Sequence, residues 1–313
     1  MEQKIDLVYL WVDGNDEDWL KKKNSYLKEF SGELDNASIN NCRFHNNDEL
    51  KYSLRSVEKY ANWINKIFIV TDNQIPSWLN TENSRIKIVN HSEIIPEDKL
   101  PLFNSCAIES RIPFIKDLSE YFLYANDDTF FWNNVEPDFF FKNNKVIVRI
   151  EKFFKKSRKY NSLYGQSILS TFKLFSKKYD SKYYAYYPHH NIDAYKKSLF
   201  MDCINNFKEY FNITLSHRFR TPTDVQRIII SLFSLYQDEA ILKITKRNFL
   251  QKLLNTKNDS AIYSLKGKHI PKLINSNTKL MCINDNQRTT NNDRLELKKI
   301  LEKKFNSKSE FEK

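Results

Sequence analysis

The chain has 313 residues, a formal charge of +11 and four cysteines. No apolar run is long enough to span a bilayer, and Lys4 leads straight into an apolar segment without a leader pattern, so a cytoplasmic protein is expected. Cys42, Cys106, Cys203 and Cys282 show no metal-ligand spacing and sit among apolar neighbours, which argues against a disulfide framework.

Ile5–Val12 reads as a strand, followed by a turn at Asp13-Gly14-Asn15 and an exposed helix from about Asp16. After a polar connector from Ser31 to Asn41, the acids of Asn47-Asp48-Glu49 favour a helix N-terminus, with Leu50, Leu54, Val57 and Ala61 on one face. Lys66–Asp72 and Arg85–His91 read as strands, separated by the breaker Ile75-Pro76-Ser77-Trp78. Leu102–Lys116 reads as a helix that Pro113 interrupts, leading into the strand Tyr121–Tyr124. This alternation predicts an α/β fold, Rossmann-like, with a largely parallel sheet and helices on both faces.

Beyond Phe141 the strand signal weakens, and two helices stand out, about Ile192–Phe211 and Thr223–Leu235. The second is opened by Thr221-Pro222-Thr223-Asp224. A last strand, Lys279–Ile283, precedes Asn284-Asp285-Asn286 and a charged helix from about Asp293 that carries Leu297, Ile300, Leu301 and Phe305. The expected organisation is an α/β half over 1–141, a basic and mainly helical lobe over 142–278, and a closing strand and helix over 279–313. With four glycines and neither GxGxxG nor GxxxxGKS/T, a Gly-rich phosphate loop is disfavoured.

Five of the apolar runs end in residues that can hold a metal, a phosphate or a proton: Asp13, Asp72, His91, Asn126-Asp127-Asp128 and Asn284-Asp285. In open α/β sheets ligands bind outside the carboxyl ends of strands, so this placement reads as the rim of an enzyme site. Asp127 and Asp128 repel each other, which suits Mg²⁺ or Mn²⁺ lying between them and a diphosphate. The alternative is a polar turn whose Asp and Asn side chains cap a neighbouring helix. His190 stands before one expected helix, placed to act as a base or to hold a phosphate oxygen, and Ser216-His217-Arg218-Phe219-Arg220 before the next, offering guanidinium forks for phosphate.

The positive charge concentrates in one stretch. Lys142, Lys145, Arg149, Lys152, Lys155, Lys156, Arg158, Lys159, Lys173, Lys177, Lys178 and Lys182 face only Glu151 and Asp180, interleaved with Tyr160, Tyr164, Phe172, Phe175, Tyr179, Tyr183, Tyr184, Tyr186 and Tyr187. Such a block suits a polyanion groove, or else a solvated surface.

These residues also carry a resemblance. Ile5 to Asp16 (IDLVYLWVDGND) resembles the first region of the Stealth family, which contains bacterial capsular-polysaccharide sugar-1-phosphate transferases and the animal GlcNAc-1-phosphotransferase catalytic subunit. Arg43-Phe44, Asn47 to Ser56, Ile67 to Thr71, Gln74 to Leu79, Phe103-Asn104-Ser105, Ala107-Ile108-Glu109 and Asn126-Asp127-Asp128 resemble its second region. His190 to Asp193 with His217 to Arg220 resemble the third, and Cys282 to Asn286 the last. The chain departs from the pattern at Cys106, where many bacterial members carry His, and in the doubled His189-His190, of which His190 keeps the spacing to Ile192-Asp193.

The resemblance implies transfer of a sugar-1-phosphate from a nucleotide sugar, UDP-linked, to an acceptor-sugar hydroxyl, with release of the nucleoside monophosphate. On it, Asp127 and Asp128 take the metal-diphosphate end, and Asp285 is a further ligand or base. Arg220 steadies phosphoryl oxygens, and His190 accepts the proton. Asp13, Asn104, Glu109, Asn126 and Asn284 line the donor pocket. The acceptor is an oligosaccharide or polysaccharide, with capsule assembly or export proteins as companions at the inner membrane face and no nucleic acid. The rival readings are a metal-dependent glycosyltransferase that releases the nucleoside diphosphate, and a polyanion-binding module whose binding is weakened by salt.

Overall fold

The computed structural model describes residues 3–29, 46–153, 162–180, 186–245, 259–266, 273 and 276–313. The first half alternates as expected. β1 (Ile5–Leu10) is followed by α1 (Glu17–Glu29), α2 (Glu49–Tyr60), β2 (Ile67–Thr71), β3 (Ile86–Asn90), the short α3 (His91–Ile94) and α4 (Ser105–Glu109). Then come β4 (Tyr121–Asn126), β5 (Thr129–Phe131), β6 (Phe141–Lys142) and β7 (Lys145–Phe153). The second half holds α5 (Leu163–Lys178), β8 (Tyr186–Pro188), β9 (Asp193–Lys196), α6 (Lys197–Asn206), α7 (Lys208–Ser216) and α8 (Ile228–Tyr236). It closes with β10 (Ala240–Ile244), β11 (Ser260–Ser264), β12 (Leu280–Asn284) and α9 (Asn291–Lys304).

The main sheet has the order β3-β2-β1-β4-β9, with β1 to β4 parallel and β9 antiparallel on the edge. β1 and β2 are rich in β-branched and aromatic residues and buried along nearly their whole length, the pattern of parallel strands covered on both faces. The register aligns Leu10 with Val70 and Asn126, and Thr71 with Asn90, so the strands end on one rim. Two smaller mixed sheets, β10-β7-β6 with β8 beside β7, and β11-β12-β5, join the body. The α/β, Rossmann-like expectation thus stands.

The second half is less helical than expected, because β7 to β11 lie where the strand signal weakens. The expected helix Ile192–Phe211 opens instead as β9, which adds to β4 through Asp193↔Tyr124 and buries Ala194 and Tyr195. Only after it do α6 and α7 follow. Leu102–Lys116 shrinks to α4 and a 3-10 turn, Ile112–Phe114, at Pro113, whose ring cannot donate to a helical ladder. One apolar core runs from Ile5 and Leu7 through Val146, Ile150, Phe172 and Phe233 to Phe311, crossing the 141/142 boundary. A second cluster packs Tyr52, Phe130 and Trp132 against Met281, Leu297 and Leu301.

Three residues of the basic, aromatic stretch read differently. Arg149 is 5% exposed, stacks 3.5 Å from the Phe139 ring and donates to the Phe139 carbonyl and to Asp259, while Phe172 and Phe175 belong to the core. These are packing roles, set by burial. Lys155, Lys156, Arg158, Lys159, Lys182, Tyr160, Tyr183 and Tyr184 lie outside the described residues, as does the connector from Ser31 to Asn41.

Candidate active site

Sheet geometry assembles the site at the rim. β5 runs antiparallel to β12 and begins one residue after Asp128, so the end of β12 arrives there: Ile283 N–H donates to the Asp128 carbonyl, and Asn284 Nδ2 lies 3.4 Å from Asp128 Oδ2. α2 packs on β5 through Ser53 Oγ, which donates to the Thr129 carbonyl, and Ser56 Oγ, which accepts from Phe131 N–H. Its first residue, Glu49, joins the same acidic group.

Glu49, Asp127 and Asp128 share one desolvated corner. Burial first and the neighbouring acids second push Asp127 and Asp128 up to about 7 and Glu49 up to about 8. The Asp128 Oδ1 atom is buried without a hydrogen-bond partner. Among the described residues no three His, Cys, Asp or Glu side chains converge as a ready metal cage. The donor set nevertheless fits a hard cation of the Mg²⁺ type, which takes one or two carboxylates and completes its shell with substrate phosphates and water. Asp127 and Asp128 are the residues that would hold it.

A cationic and imidazole group gathers nearby, and its Arg227 is close enough to act electrostatically on Asp128. β9 starts opposite Tyr124, which brings His189, His190 and Asp193 to the end of β4. Both ring nitrogens of His189 are engaged, Nε2 with Asp193 Oδ1 at 2.7 Å and Nδ1 with Ser260 Oγ at 3.3 Å. His190 differs: its Nδ1 is buried and unpartnered, and its backbone is left-handed at φ 49°. Such strain in a non-glycine residue clusters at functional positions. Burial, aided by Arg227 and Arg220, depresses His190 to about 3, so the imidazole is neutral at physiological pH. Arg220 donates to Ser105 Oγ and leaves its Nε unpartnered.

Arg227, absent from the sequence reading, lies at the centre. Its Nε donates to Asp193 Oδ2 at 3.1 Å and its Nη1 to Glu109 Oε1 at 3.4 Å. Glu109 Oε1 also accepts from Tyr124 OH at 3.1 Å, whose oxygen lies 2.8 Å from Asn126 Oδ1; Glu109 Oε2 is unpartnered. The helix expected from Thr223 begins only at Ile228, because the N–H groups of Val225 and Gln226 donate to the hydroxyls of Thr214 and Thr171. Arg227 is thereby the N-cap of α8 and aims into the site rather than lying on a helix face.

Other sequence candidates stand elsewhere. Asn104 is fully buried with its amide spent on Cys106 N–H, the His217 carbonyl and Asp224 Oδ2, so it braces loops instead of lining a pocket. Asp285 is paired with Arg294 at 2.8 Å and accepts Asn286 N–H, which neutralises it against the last helix. Asp13 closes the β1 turn by accepting Asn15 N–H, while its backbone is clamped on both sides by the Gln74 amide.

With this geometry in view, two family profiles match: Stealth protein CR1, conserved region 1, over residues 3–31, and Stealth protein CR2, conserved region 2, over residues 43–149. Capsular polysaccharide phosphotransferase fcs1 of Haemophilus influenzae is 40% identical over 71% of this chain and 62% of its own length, so that alignment leaves over a third of fcs1 unmatched. Capsular polysaccharide phosphotransferase WcwK of Streptococcus pneumoniae is 32% identical over 100% of this chain and 99% of its own. Exopolysaccharide phosphotransferase cps2G of Lactiplantibacillus plantarum is 32% identical over 99% and 96%. Among solved structures, the galactosyltransferase LgtC in complex with donor and acceptor sugar analogues aligns over 95% of both chains at 8% identity and TM-score 0.44.

Proposed function

The chain belongs to the Stealth family, and from that premise we propose that it is a phosphotransferase of polysaccharide synthesis. It moves a sugar-1-phosphate from a nucleotide sugar, UDP-linked, to a hydroxyl of an acceptor sugar and releases the nucleoside monophosphate. The relatives named capsular and exopolysaccharide phosphotransferases support the reaction class. The observation that carries the reading is the electrostatic reach of Arg227 both to Asp128 of the acidic corner and to His190, with unpartnered buried atoms on Asp128, His190 and Arg220.

The chemistry needs in-line positioning, neutralisation of diphosphate charge and removal of a proton from the incoming hydroxyl. A divalent cation on Asp127 and Asp128, when bound, supplies part of that neutralisation. Arg220 stabilises the phosphoryl oxygens with guanidinium donors that have no other acceptor at Nε. His190 enters neutral, with Nδ1 available to accept the hydroxyl proton. A diphosphate lying against Arg220 and Arg227 offsets the two cations that depress His190, so its basicity rises when substrate is in place. Attack falls on the sugar-proximal phosphorus, and the bond at the anomeric carbon stays intact.

The test is the identity of the leaving nucleotide. Purified protein is incubated with Mg²⁺ or Mn²⁺, a panel of UDP-sugars and a short oligosaccharide primer, and the nucleotides are resolved by chromatography. UMP with phosphate retained in the primer is the expected result. UDP, with sugar but no phosphate transferred, makes the protein a glycosyltransferase.

No described helix is long and apolar enough to cross a membrane. The basic surface of α5, with Lys173 and Lys177 exposed, suits a polyanionic product chain or an acidic lipid face.

A further inference from the structure

A guanidinium at a helix N-terminus is electrostatically misplaced, since the first turn of a helix already carries partial positive charge. Arg227 occupies that position on α8, and it is held there by two carboxylates from two other elements, Asp193 of β9 and Glu109 of α4. The two bonds leave from different nitrogens, Nε and Nη1, so the fork spans the gap between the carboxylates. Each carboxylate then continues into one side of the site. Glu109 accepts from Tyr124 OH, which neighbours Asn126 at the start of the acidic turn. Asp193 bonds His189 Nε2, and His189 is the residue before His190.

We propose that Arg227 is a positioning residue that fixes the His189–Asp193 segment, and with it His190, at a set distance from the Asn126–Asp128 turn. This deepens the function proposed above and rests on it. The guanidinium stands over the Tyr124 ring at 5.0 Å, so the bridge is held by stacking as well as by its two carboxylates. Rotation of Arg227 alone would release both acids at once. The imidazole that takes the acceptor's proton and the turn that orients the donor diphosphate would lose their common reference. In-line displacement is sensitive to that loss, since a misplacement of about 1 Å costs on the order of 10²-fold in rate.

Arg227→Lys and Arg227→Ala separate the possibilities. An ammonium keeps the charge and cannot bridge both carboxylates in a planar fork. The expected result for both variants is a fall in kcat of about 10²-fold with donor KM near the parent value, and partial recovery of Arg227→Ala by added methylguanidinium. A pH profile supplies a readout that lost packing would not move. The charged and titratable groups facing His190 are Arg227, Arg220, Asp193, His189 and the Tyr164 ring of α5, and Arg227 is a depressing one, so Arg227→Ala shifts upward the acid limb of kcat/KM, which reports the free enzyme.

Parent kcat and pH profile in a folded Arg227→Lys would overturn the proposal, as would a variant that raises donor KM with kcat intact. If Arg227→Ala does not fold, Arg227→Lys decides alone. The parent enzyme's leaving nucleotide is measured in the same reactions. UDP in place of UMP would sink the functional reading, while the kcat and KM split would still report on Arg227.

Discussion

Asp127 and Asp128 stand where their charges oppose folding and serve binding. Their native pKa values near 7, and that of Glu49 near 8, lie above the ordinary carboxylate range, so the folded chain binds protons that the unfolded chain releases. Their contribution to stability is complete below about pH 4 and declines as pH rises through 7 to 8. Thermal melts in chelator should therefore fall in Tm between pH 5 and 8. Asp127→Asn should flatten that fall and raise Tm at pH 8 while abolishing turnover, the exchange expected when acids are kept for a ligand. Mg²⁺ or Mn²⁺ should raise the parent Tm more at pH 8 than at pH 5; a cation effect independent of pH would count against these acids as its site. In the cationic and imidazole group, His190→Ala should lower kcat by about 10²–10⁴-fold with donor affinity retained, the scale of a lost general base. Equilibrium binding of donor beside single-turnover rates would separate the two.

At this scale the sequence exposed the residues whose type announces their chemistry and missed those whose position does. The adjacent pair Asp127-Asp128 and the segment around His190 stand out by composition alone. Glu49 looks like an ordinary helix-start acid until α2 is seen to lie on β5 beside Asp128. Arg227 is hidden inside an apparent helix, and only the threonine hydroxyls that capture the N–H groups of Val225 and Gln226 reveal a late start. Asn104 and Asp285 are polar residues beside strand or helix ends whose partners, Asp224 and Arg294, are distant or unmarked in sequence.

Among elements, α2 is the one whose placement matters most to the site, because its first residue is Glu49 and its middle is held from behind. Arg55 forms a two-pronged pair with Glu312, at 2.7 Å to each carboxylate oxygen, and Glu312 also accepts Ser309 N–H. Both partners are largely buried, with side-chain exposures of 13% and 4%. Glu312→Ala leaves the guanidinium with only the Phe305 carbonyl as acceptor, and the cost expected for breaking such a pair is up to about 3–5 kcal/mol. Urea unfolding monitored by fluorescence should show it, and a loss under about 1 kcal/mol would mean that the pair behaves as a surface bridge. Strands β1 to β4 and helices α1, α2 and α9 were legible because each repeats its period over a whole element. β9 was not. Its four residues sit directly before a helical pattern, and its pairing partner, β4, lies some seventy residues back in the chain.

For the whole molecule, the sequence suggests an α/β half and a separate lobe, whereas the apolar core passes through both. Val146, Val148 and Ile150 of β7 and Phe233 of α8 belong to the same buried cluster as Leu7, Val8 and Leu123. Contiguous burial couples the halves, since neither can expose its share of the interface without losing on the order of 25 cal/mol per Å² of apolar surface. A single unfolding unit is the expected consequence. The five tryptophans make this measurable, because Trp11, Trp19, Trp63, Trp78 and Trp132 all precede residue 142. No tryptophan lies in residues 142–278, so fluorescence follows the first half and, through Trp132, its packing against the closing segment, while far-UV circular dichroism reports all the helices. In urea the two signals should trace coincident transitions, the test for the absence of a populated intermediate. If dichroism is lost at lower urea than fluorescence, residues 142–278 unfold as an independent lobe, and the core between them does not couple the halves.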